Sequence, residues 1–221
     1  GGFEIKIFYK SKINLVIHLG IFLVSACSNK NSLDHNHYCN RLNLECVKEN
    51  QLVVFKTSKG DFEAVLNAEN YPLTVTNFIE NIKKDIYTNK RFYKIIRYPQ
   101  VKVIHAGIYQ EKNKTLDSNH VLNEKEPSIP LEISLAKGTE YGTKTKESPV
   151  IENIKSFFKK GSIAMVKSGE SNSSSTEFFF VTNEMPALDG RYSVFGQILN
   201  GFEVLESIND KDFIYEINLN N

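Results

Sequence analysis

The sequence predicts a mainly β fold: a closed antiparallel β-barrel of about eight strands capped by two helices. Apolar and polar residues alternate in several short segments, as they do in strands with one buried face. One segment, which begins after Tyr71, instead carries an apolar stripe at helical spacing. For this combination of elements we favour a closed barrel, because closure leaves no sheet edge exposed.

Length and charge narrow the classes of protein to consider. The 221 residues are enough for one full domain and a tail. The 27 basic and 26 acidic residues are interleaved, and the formal net charge is +1. Because nucleic-acid binding needs a concentrated positive surface, this balance argues against a nucleic-acid partner. Nothing in the pattern indicates a coiled coil, so we expect a monomer.

Residues 1–27 are typical of an export signal. A lysine-containing start precedes an apolar run from Ile13 to Ala26, which is short for a membrane span and typical of a signal peptide. The run ends in the letters VSAC, which resemble the lipobox of bacterial lipoproteins. In that motif the cysteine, here Cys27, is acylated. An ordinary signal peptide or an N-terminal anchor is the alternative.

Residues 28–50 are polar and without periodicity, and we interpret them as a tether. His35, His37 and Cys39 have no second pair of ligands at a recognised spacing, so a solvated tail is favoured over a metal site. Outside the cytoplasm a disulfide between Cys39 and Cys46 is plausible. The sequence leaves their pairing open.

The folded domain is assigned to residues 51–221. Its first segment, residues 52–66, alternates on both sides of a turn at Gly60 and predicts a hairpin. A helix follows, with Thr74 as its predicted N-cap and one apolar stripe. The stripe consists of Val75, Phe78, Ile79 and Ile82.

Later segments add strands and short helices. Residues 92–96 and 101–104 alternate and predict two strands around Pro99. Residues 151–158 place apolar side chains at helical spacing and indicate a short amphipathic helix. Residues 213–219 alternate like a closing strand.

The most informative stretch runs from Gly161 to Gly196. Two apolar strands, residues 163–166 and 178–181, flank a serine-rich polar loop. A tight turn containing Gly190, which is free to adopt positive φ, then leads into a third strand, residues 192–198.

This order of strand, polar loop, aromatic strand, Asp-Gly turn and Val-Phe-Gly strand resembles the cyclophilin family of peptidyl-prolyl isomerases. The helix also matches the family pattern position by position at Thr74, Val75, Asn77 and Phe78. The resemblance covers residues 53–219. It implies a cyclophilin-like barrel that acts on Xaa-Pro segments of polypeptides and needs neither cofactor nor metal.

The resemblance places the catalytic arginine of the family at Lys94, and Tyr93 replaces the preceding histidine. Lysine keeps the charge but lacks the planar fork that holds a donor and a neighbouring acceptor at once. By analogy with the loss of one positioned donor, we expect a rate lower by about ten- to a thousandfold. A lysine pointing to solvent is the alternative. Arg91 and Arg97 lie at odd offsets from Lys94, which predicts the opposite face of the strand.

The resemblance also implies the apolar part of a substrate pocket. Phe179 takes the place of its aromatic floor, Leu188 that of the pocket leucine, and Val103 and Met165 those of apolar walls. Plain core packing is the alternative for each of them, and it is favoured for Met165. Ala187 stands where tryptophan is common, which implies weak cyclosporin binding.

Three polar positions complete the predicted binding residues. His105 and Glu177 stand where the family has glutamine, and Tyr192 where many members have histidine. With an ordinary pKa near 6.5, the charge of His105 is expected to vary around that pH.

These observations predict a membrane-tethered isomerase that assists the folding of exported proteins. It would lie in the bacterial cell envelope, outside the cytoplasm, held by a lipid on Cys27. The alternative is a cyclophilin-like module that binds Pro-containing or unfolded segments with little or no turnover, because a fold does not fix a function.

Overall fold

The computed structural model describes residues 35–111, 114–115, 128–142, 153–169 and 171–220. The predicted export signal, the predicted acylation site at Cys27 and the first part of the tether, residues 28–34, lie outside the described residues. Among the helices of the described ranges, none is long and apolar enough to cross a membrane.

Strands dominate the described part of the chain, as predicted. They are β1 (Gln51–Thr57), β2 (Gly60–Leu66), β3 (Lys90–Arg91), β4 (Lys94–Arg97), β5 (Lys102–Ala106), β6 (Gln110–Glu111), β7 (Lys114–Thr115), β8 (Ile129–Pro130), β9 (Glu132–Leu135), β10 (Gly138–Tyr141), β11 (Ser162–Lys167), β12 (Asn172–Val181), β13 (Val194–Asn200) and β14 (Phe213–Asn220). The helices are α1 (His35–Arg41), α2 (Pro72–Lys83) and α3 (Phe202–Ser207), with a 3-10 turn at Pro186–Leu188.

Ten strands form one antiparallel sheet. Its hydrogen-bonded order is β3-β14-β1-β2-β13-β11-β12-β5-β4, with β8 paired to β12 beside this path. Two small hairpins, β9 with β10 and β6 with β7, stand apart from it. The predicted hairpin is β1 with β2, and the predicted closing strand is β14, which pairs with β1.

The sheet is a curled half-barrel rather than the closed barrel of about eight strands that the sequence predicts. Its two edge strands, β3 and β4, are consecutive in the chain, and no hydrogen-bonded ladder joins them in the described ranges. Only Phe92 and Tyr93 lie between them, so the chain itself passes from one edge to the other. The Phe92 N–H donates to the carbonyl of Asp212 at 3.1 Å, and its ring is fully buried.

The serine-rich segment between the two central strands is more ordered than predicted. Residues 172–176 belong to β12 rather than to a loop. Ser173 lies opposite Ile129 of β8, and it also lies opposite Lys167 of β11. The composition predicted a loop because serine packs poorly, but its small side chain fits a strand covered by neighbours.

An aromatic core fills the space between the sheet and α2. Phe55 and Phe62 lie opposite each other in β1 and β2, and their ring centroids are 4.7 Å apart. Phe78 of α2 packs edge-on against Phe178 at 5.1 Å. The predicted helical stripe therefore faces the core.

The start of α2 is stabilised by a distant carboxylate. The helix begins at Pro72, so Thr74, the predicted N-cap, lies inside its first turn. Glu132 of β9 accepts the backbone N–H groups of Leu73 and Thr74 at 3.1 and 2.6 Å. A residue 58 positions away along the chain thus satisfies the free donors of the helix, which no local pattern reveals.

Residues 35–50, which the sequence assigns to a polar tether, pack on the domain. Cys39 and Cys46 form a disulfide, and both are buried together with Leu73. The Val47 N–H donates to the hydroxyl of Thr76 at 2.8 Å. The average polarity of this segment hides the few apolar groups that fix it.

Residues 153–158 are not helical, although the spacing predicts an amphipathic helix there. Ile154 forms an isolated bridge with Leu135, and the Lys155 N–H donates to the carbonyl of Ser134 at 3.0 Å. The backbone of this segment therefore bonds to β9 instead of to itself.

Candidate active site

One row of side chains crosses strands β4, β5 and β12. His105 in β5 lies directly opposite Lys94 in β4 and directly opposite Phe179 in β12. Side chains of directly paired residues point to the same side of a sheet. Lys94, His105 and Phe179 therefore share one face, away from the core that contains Phe178 and Phe180.

This face carries a cavity of about 250 Å³, called the slot below. Five predicted binding residues line it: Val103, His105, Phe179, Leu188 and Tyr192. Ile96, Tyr98, Val166, Lys167 and Met185 complete its lining. Most of these side chains are apolar, which suits a small apolar group.

Stacked aromatic rings form the floor of the slot. The Phe179 ring lies parallel to those of His105 and Phe158, with centroids 5.5 and 5.8 Å apart. Tyr192 packs edge-on against Phe179 at 5.3 Å. Phe179 is only 3% exposed, so its position is held from both sides.

The turn around Leu188 closes one side of the slot. The Asp189 carboxylate accepts the Phe158 N–H at 2.8 Å, which ties this turn to the segment behind the floor. Gly190 follows with φ of 68°, as the sequence predicts for this turn.

A hydrogen-bonded group stands beside the floor. The Tyr93 hydroxyl donates to Glu177 Oε2 at 2.7 Å and lies 3.5 Å from Nδ1 of His105. Burial and the adjacent Glu177 charge raise the pKa of Tyr93, so the phenol remains a donor.

Burial, together with the charge of Lys94, lowers the pKa of His105 to about 4. The imidazole is therefore neutral at neutral pH. The sequence-based expectation of a charge that varies around pH 6.5 is wrong, because that expectation assumed a solvated ring.

Lys94 lies at the rim rather than in the lining of the slot. Its side chain is exposed, and it is close enough to His105 to lower the pKa of that ring. The two arginines at odd offsets point elsewhere: the Arg91 guanidinium lies over the Phe213 ring at 5.0 Å, and Arg97 donates to Asn209 at 2.9 Å. For Arg97, which shares β4 with Lys94, this agrees with the period-two prediction; Arg91 lies on the separate strand β3, where that prediction does not apply.

Met165, the other predicted wall, lies on the opposite face. It is fully buried in the main core with Phe178, while its neighbours Ala164 and Val166 belong to the side of the slot. Because side chains alternate along β11, only one of two consecutive residues faces the slot. Val166 provides the wall in place of Met165.

Sequence reasoning missed half of the lining. Ile96 could have been predicted, because this residue stands two positions after Lys94 on the same strand and therefore on the same face. Met185 comes from an irregular segment without a periodic signal, and the supporting Phe158 comes from the segment whose helical spacing predicted the wrong structure. Lys167 brings an ammonium group into the lining, whereas Lys94 lies at the rim.

Comparisons with known proteins agree with this geometry. The family model of the cyclophilin type peptidyl-prolyl cis-trans isomerase/CLD matches residues 52–217. The chain is 30% identical over 185 residues to a putative thylakoid lumen peptidyl-prolyl cis-trans isomerase of Synechocystis sp., which covers 78% of this chain and 47% of that protein. It thus spans about half the length of that relative. Peptidyl-prolyl cis-trans isomerase A of Dickeya dadantii is 24% identical over 161 residues, covering 71% of this chain and 70% of that protein.

A solved structure shares the fold. The cyclophilin type peptidyl-prolyl cis-trans isomerase of Cryptosporidium parvum superposes with a TM-score of 0.57 at 21% identity, covering 78% of this chain and 99% of that chain. The same protein, crystallised in the presence of the dipeptide Ala-Pro, gives a TM-score of 0.56 at 21% identity, covering 77% and 99%. With its family motif matched over three quarters of its length and its slot on the outer face of a curled sheet, the chain belongs to the cyclophilin type peptidyl-prolyl cis-trans isomerase family.

Proposed function

We propose that the protein is a peptidyl-prolyl cis-trans isomerase that holds Xaa-Pro segments of polypeptides in the slot. The observation that carries this proposal is the row Lys94–His105–Phe179, which sets a cation beside an aromatic floor on one face of the sheet. The Cryptosporidium parvum relative, crystallised in the presence of Ala-Pro, supports the choice of ligand.

The chemistry needs no covalent intermediate. Amide resonance gives the X–Pro bond a barrier of about 18–20 kcal/mol, and that resonance is lost as the bond twists. A site lowers the barrier when it binds the twisted state more tightly than the planar one. It does so by fixing the proline ring and by donating a hydrogen bond to the prolyl nitrogen as that atom becomes pyramidal.

The slot suits the first requirement. At about 250 Å³ it is smaller than the cavities that enclose drug-sized ligands, and its walls are largely apolar. Phe179 offers a flat surface for the ring, and Val103 and Leu188 add apolar walls. Binding there fixes one half of the amide while the other half turns.

Lys94 and His105 meet the second requirement. The Lys94 ammonium is the donor for the prolyl nitrogen in this proposal, and neutral His105 offers a ring nitrogen to the substrate backbone. Because lysine lacks the fork of a guanidinium, we infer that turnover is weaker than an arginine at this position would give.

The test is the rate of cis–trans isomerisation of an Ala-Pro peptide with the full chain. The wild type should accelerate the reaction, and Lys94→Ala should lose most of that acceleration while still binding the peptide. Acceleration that is unchanged in Lys94→Ala would rule out the role of this residue.

The second candidate function is a module that binds Pro-containing segments without useful turnover. The lysine at the arginine position is the observation that favours it. Peptide binding in the slot, weakened by Leu188→Ala, together with no acceleration by the wild type, would establish the module instead of the enzyme.

We also propose that the protein acts outside the cytoplasm as a monomer, assists the folding of exported proteins and is anchored by a lipid on Cys27. The disulfide between Cys39 and Cys46 supports an oxidising compartment, and the similar Synechocystis protein is described as lumenal. Incorporation of labelled fatty acid that is lost in Cys27→Ala tests the anchor. Gel filtration of the detergent-solubilised protein tests the monomer.

A further inference from the structure

A second cavity, of about 490 Å³, lies outside the slot and is called the lysine groove below. Three cationic side chains line it: Lys155, Lys159 and Lys160. Phe157, also in the lining, is 44% exposed, so its ring is accessible to a ligand. The groove therefore combines positive charge with an accessible aromatic ring.

The backbone that carries these lysines is held in place. The Lys159 carbonyl accepts the Ser162 N–H at 3.0 Å, and the Lys159 N–H donates to the Ser162 hydroxyl at 2.9 Å. The Gln197 side chain donates to the Lys160 carbonyl at 2.6 Å. Lys155 is fixed through its N–H to Ser134. A fixed backbone lowers the entropy that is lost when a ligand binds.

Within the described ranges, no ion pair with a carboxylate involves the three lysines of this groove. The ion pairs of these ranges involve lysines 56, 59 and 83 instead. The lining contains one carboxylate, Glu184, against its three lysines. The Lys160 ammonium lies over the Phe202 ring at 3.8 Å, which leaves Lys155 and Lys159 as the cations most open to a ligand.

The groove adjoins the slot through two pairs of consecutive residues. Phe157 lines the groove while Phe158 stacks behind the floor of the slot, and Glu184 lines the groove while Met185 lines the slot. The Met185 N–H donates to the Phe158 carbonyl at 3.3 Å, which joins the two segments. Because consecutive residues line the two cavities, an extended polypeptide that leaves the slot over Met185 reaches the groove within a few residues.

We propose that the lysine groove binds acidic side chains of the same polypeptide whose Xaa-Pro bond occupies the slot. It is thus a specificity subsite, and this inference rests on the proposed function. Its ligand is a segment with Asp or Glu within about four residues of the proline. The concave shape favours such a segment over an anionic membrane surface, which needs a flat or protruding face.

The experiment compares Ala-Pro peptides that carry two Glu residues, before or after the proline, with peptides that carry Gln at the same positions. Exposed ion pairs contribute up to about 1 kcal/mol each, so KM should be about three- to tenfold lower for the Glu peptides on one side. Sodium chloride at about 0.5 M should remove most of this preference, since it screens exposed charges. Equal KM values for Glu and Gln peptides on both sides would overturn the proposal.

The double variant Lys155→Ala/Lys159→Ala should lose the preference and keep the wild-type KM for the Gln peptides. Lys137→Ala/Lys211→Ala is the matched control, because both residues are exposed lysines outside the groove, and it should retain the preference. A preference that persists in the groove variant would place the acidic contact elsewhere and overturn the proposal. Equal melting temperatures establish that both variants are folded.

Direct binding separates this inference from the proposed function. If the protein does not accelerate isomerisation, titration calorimetry with the same peptides still measures the preference for Glu and its loss in the groove variant. Binding to phosphatidylglycerol vesicles that is lost in the groove variant, with no preference among peptides, would show a lipid contact and overturn the proposal.

Discussion

Tyr93 donates a hydrogen bond to Glu177 at 2.7 Å, from the connection between the two edge strands to β12. Tyr93 stands in the two-residue connection between the edge strands β3 and β4, whereas Glu177 lies on β12, two strands away from β4. A side-chain contact therefore ties the edge of the sheet to its interior. Because Lys94 follows Tyr93 directly, the same contact fixes the position of the proposed donor beside the slot.

We expect Tyr93→Phe to weaken both the fold and the reaction. Hydrogen bonds to charged groups contribute about 1.5–3 kcal/mol, and burial of the Tyr93 ring adds to the value of this one. The free energy of unfolding should fall by about 2 kcal/mol, and kcat/KM should fall severalfold. Chemical denaturation and peptide kinetics measure the two effects. Glu177→Gln is the control: an amide oxygen still accepts from Tyr93, so this variant should lose less stability. A Tyr93→Phe variant with unchanged stability and kcat/KM would contradict the role of the contact.

Lys94→Arg should raise the rate of isomerisation by about tenfold or more. The guanidinium presents several donors in one plane, so it bonds a neighbouring acceptor and still reaches the prolyl nitrogen. Its benefit should appear in kcat more than in KM, because the donor acts on the twisted state. Lys94→Gln, which has no charge, should be slower than the wild type. An arginine variant no faster than the wild type would show that the charge alone sets the rate.

The fold was predictable where each strand carries its own alternation. The β1–β2 hairpin, the stripe of α2 and the closing strand β14 follow from local patterns of apolar residues. The gap between the edge strands β3 and β4 was not predictable, because it depends on which strands pair across long separations in sequence. Likewise, the helix expected at residues 151–158 is absent over residues 153–158 because their backbone bonds to β9, and helical spacing alone does not report such a competitor.

The candidate site, like the fold, was only partly predictable from the sequence. Phe179 and Leu188 were found from a resemblance in spacing, and the structure places both in the slot. Met165 was misplaced by one residue, which on a strand means the opposite face. The neutral state of His105 depends on burial by residues far away in sequence, so no motif predicts it.

Loss of the disulfide should lower stability and leave activity unchanged. In the chain-entropy view, a loop of this length contributes about 2 kcal/mol, and Cys39 and Cys46 pack in a cluster separate from the slot. Cys39→Ser/Cys46→Ser should therefore lower the melting temperature by about 5 °C with little change in kcat/KM. Calorimetry and peptide kinetics test this. A large loss of activity would show that this loop communicates with the slot.

His105 should make the protein more stable as pH rises through the acidic range. Its pKa is about 4 when folded and about 6.5 when unfolded, so between these values the unfolded chain binds the extra proton. The contribution of His105 to stability should therefore rise from pH 4 to 6.5 and then level off. His105→Gln should remove this rise, as measured by urea unfolding at each pH. Parallel curves for wild type and variant would contradict the neutral buried imidazole.

Glu132 should make the protein less stable as pH rises, over a slightly higher pH range than that of His105. Burial raises its pKa to about 7, although the N–H groups of Leu73 and Thr74 partly offset that shift. Between about pH 4.5 and 7 the folded state holds the proton that the unfolded chain releases, so stability should fall by roughly 3 kcal/mol as pH rises. Because His105 has the reverse effect below pH 6.5, the comparison is clearest in a His105→Gln background.

In that background, adding Glu132→Gln should flatten the stability curve between pH 4.5 and 7, because the amide does not titrate. The amide oxygen accepts from one of the two helix N–H groups and its nitrogen cannot accept from the other, so the double variant should also be less stable than its parent below pH 4.5. Urea unfolding followed by far-ultraviolet circular dichroism gives both quantities. A parent whose stability is level across this range would show that the buried carboxylate stays ionised, held by the start of α2 more strongly than burial opposes it.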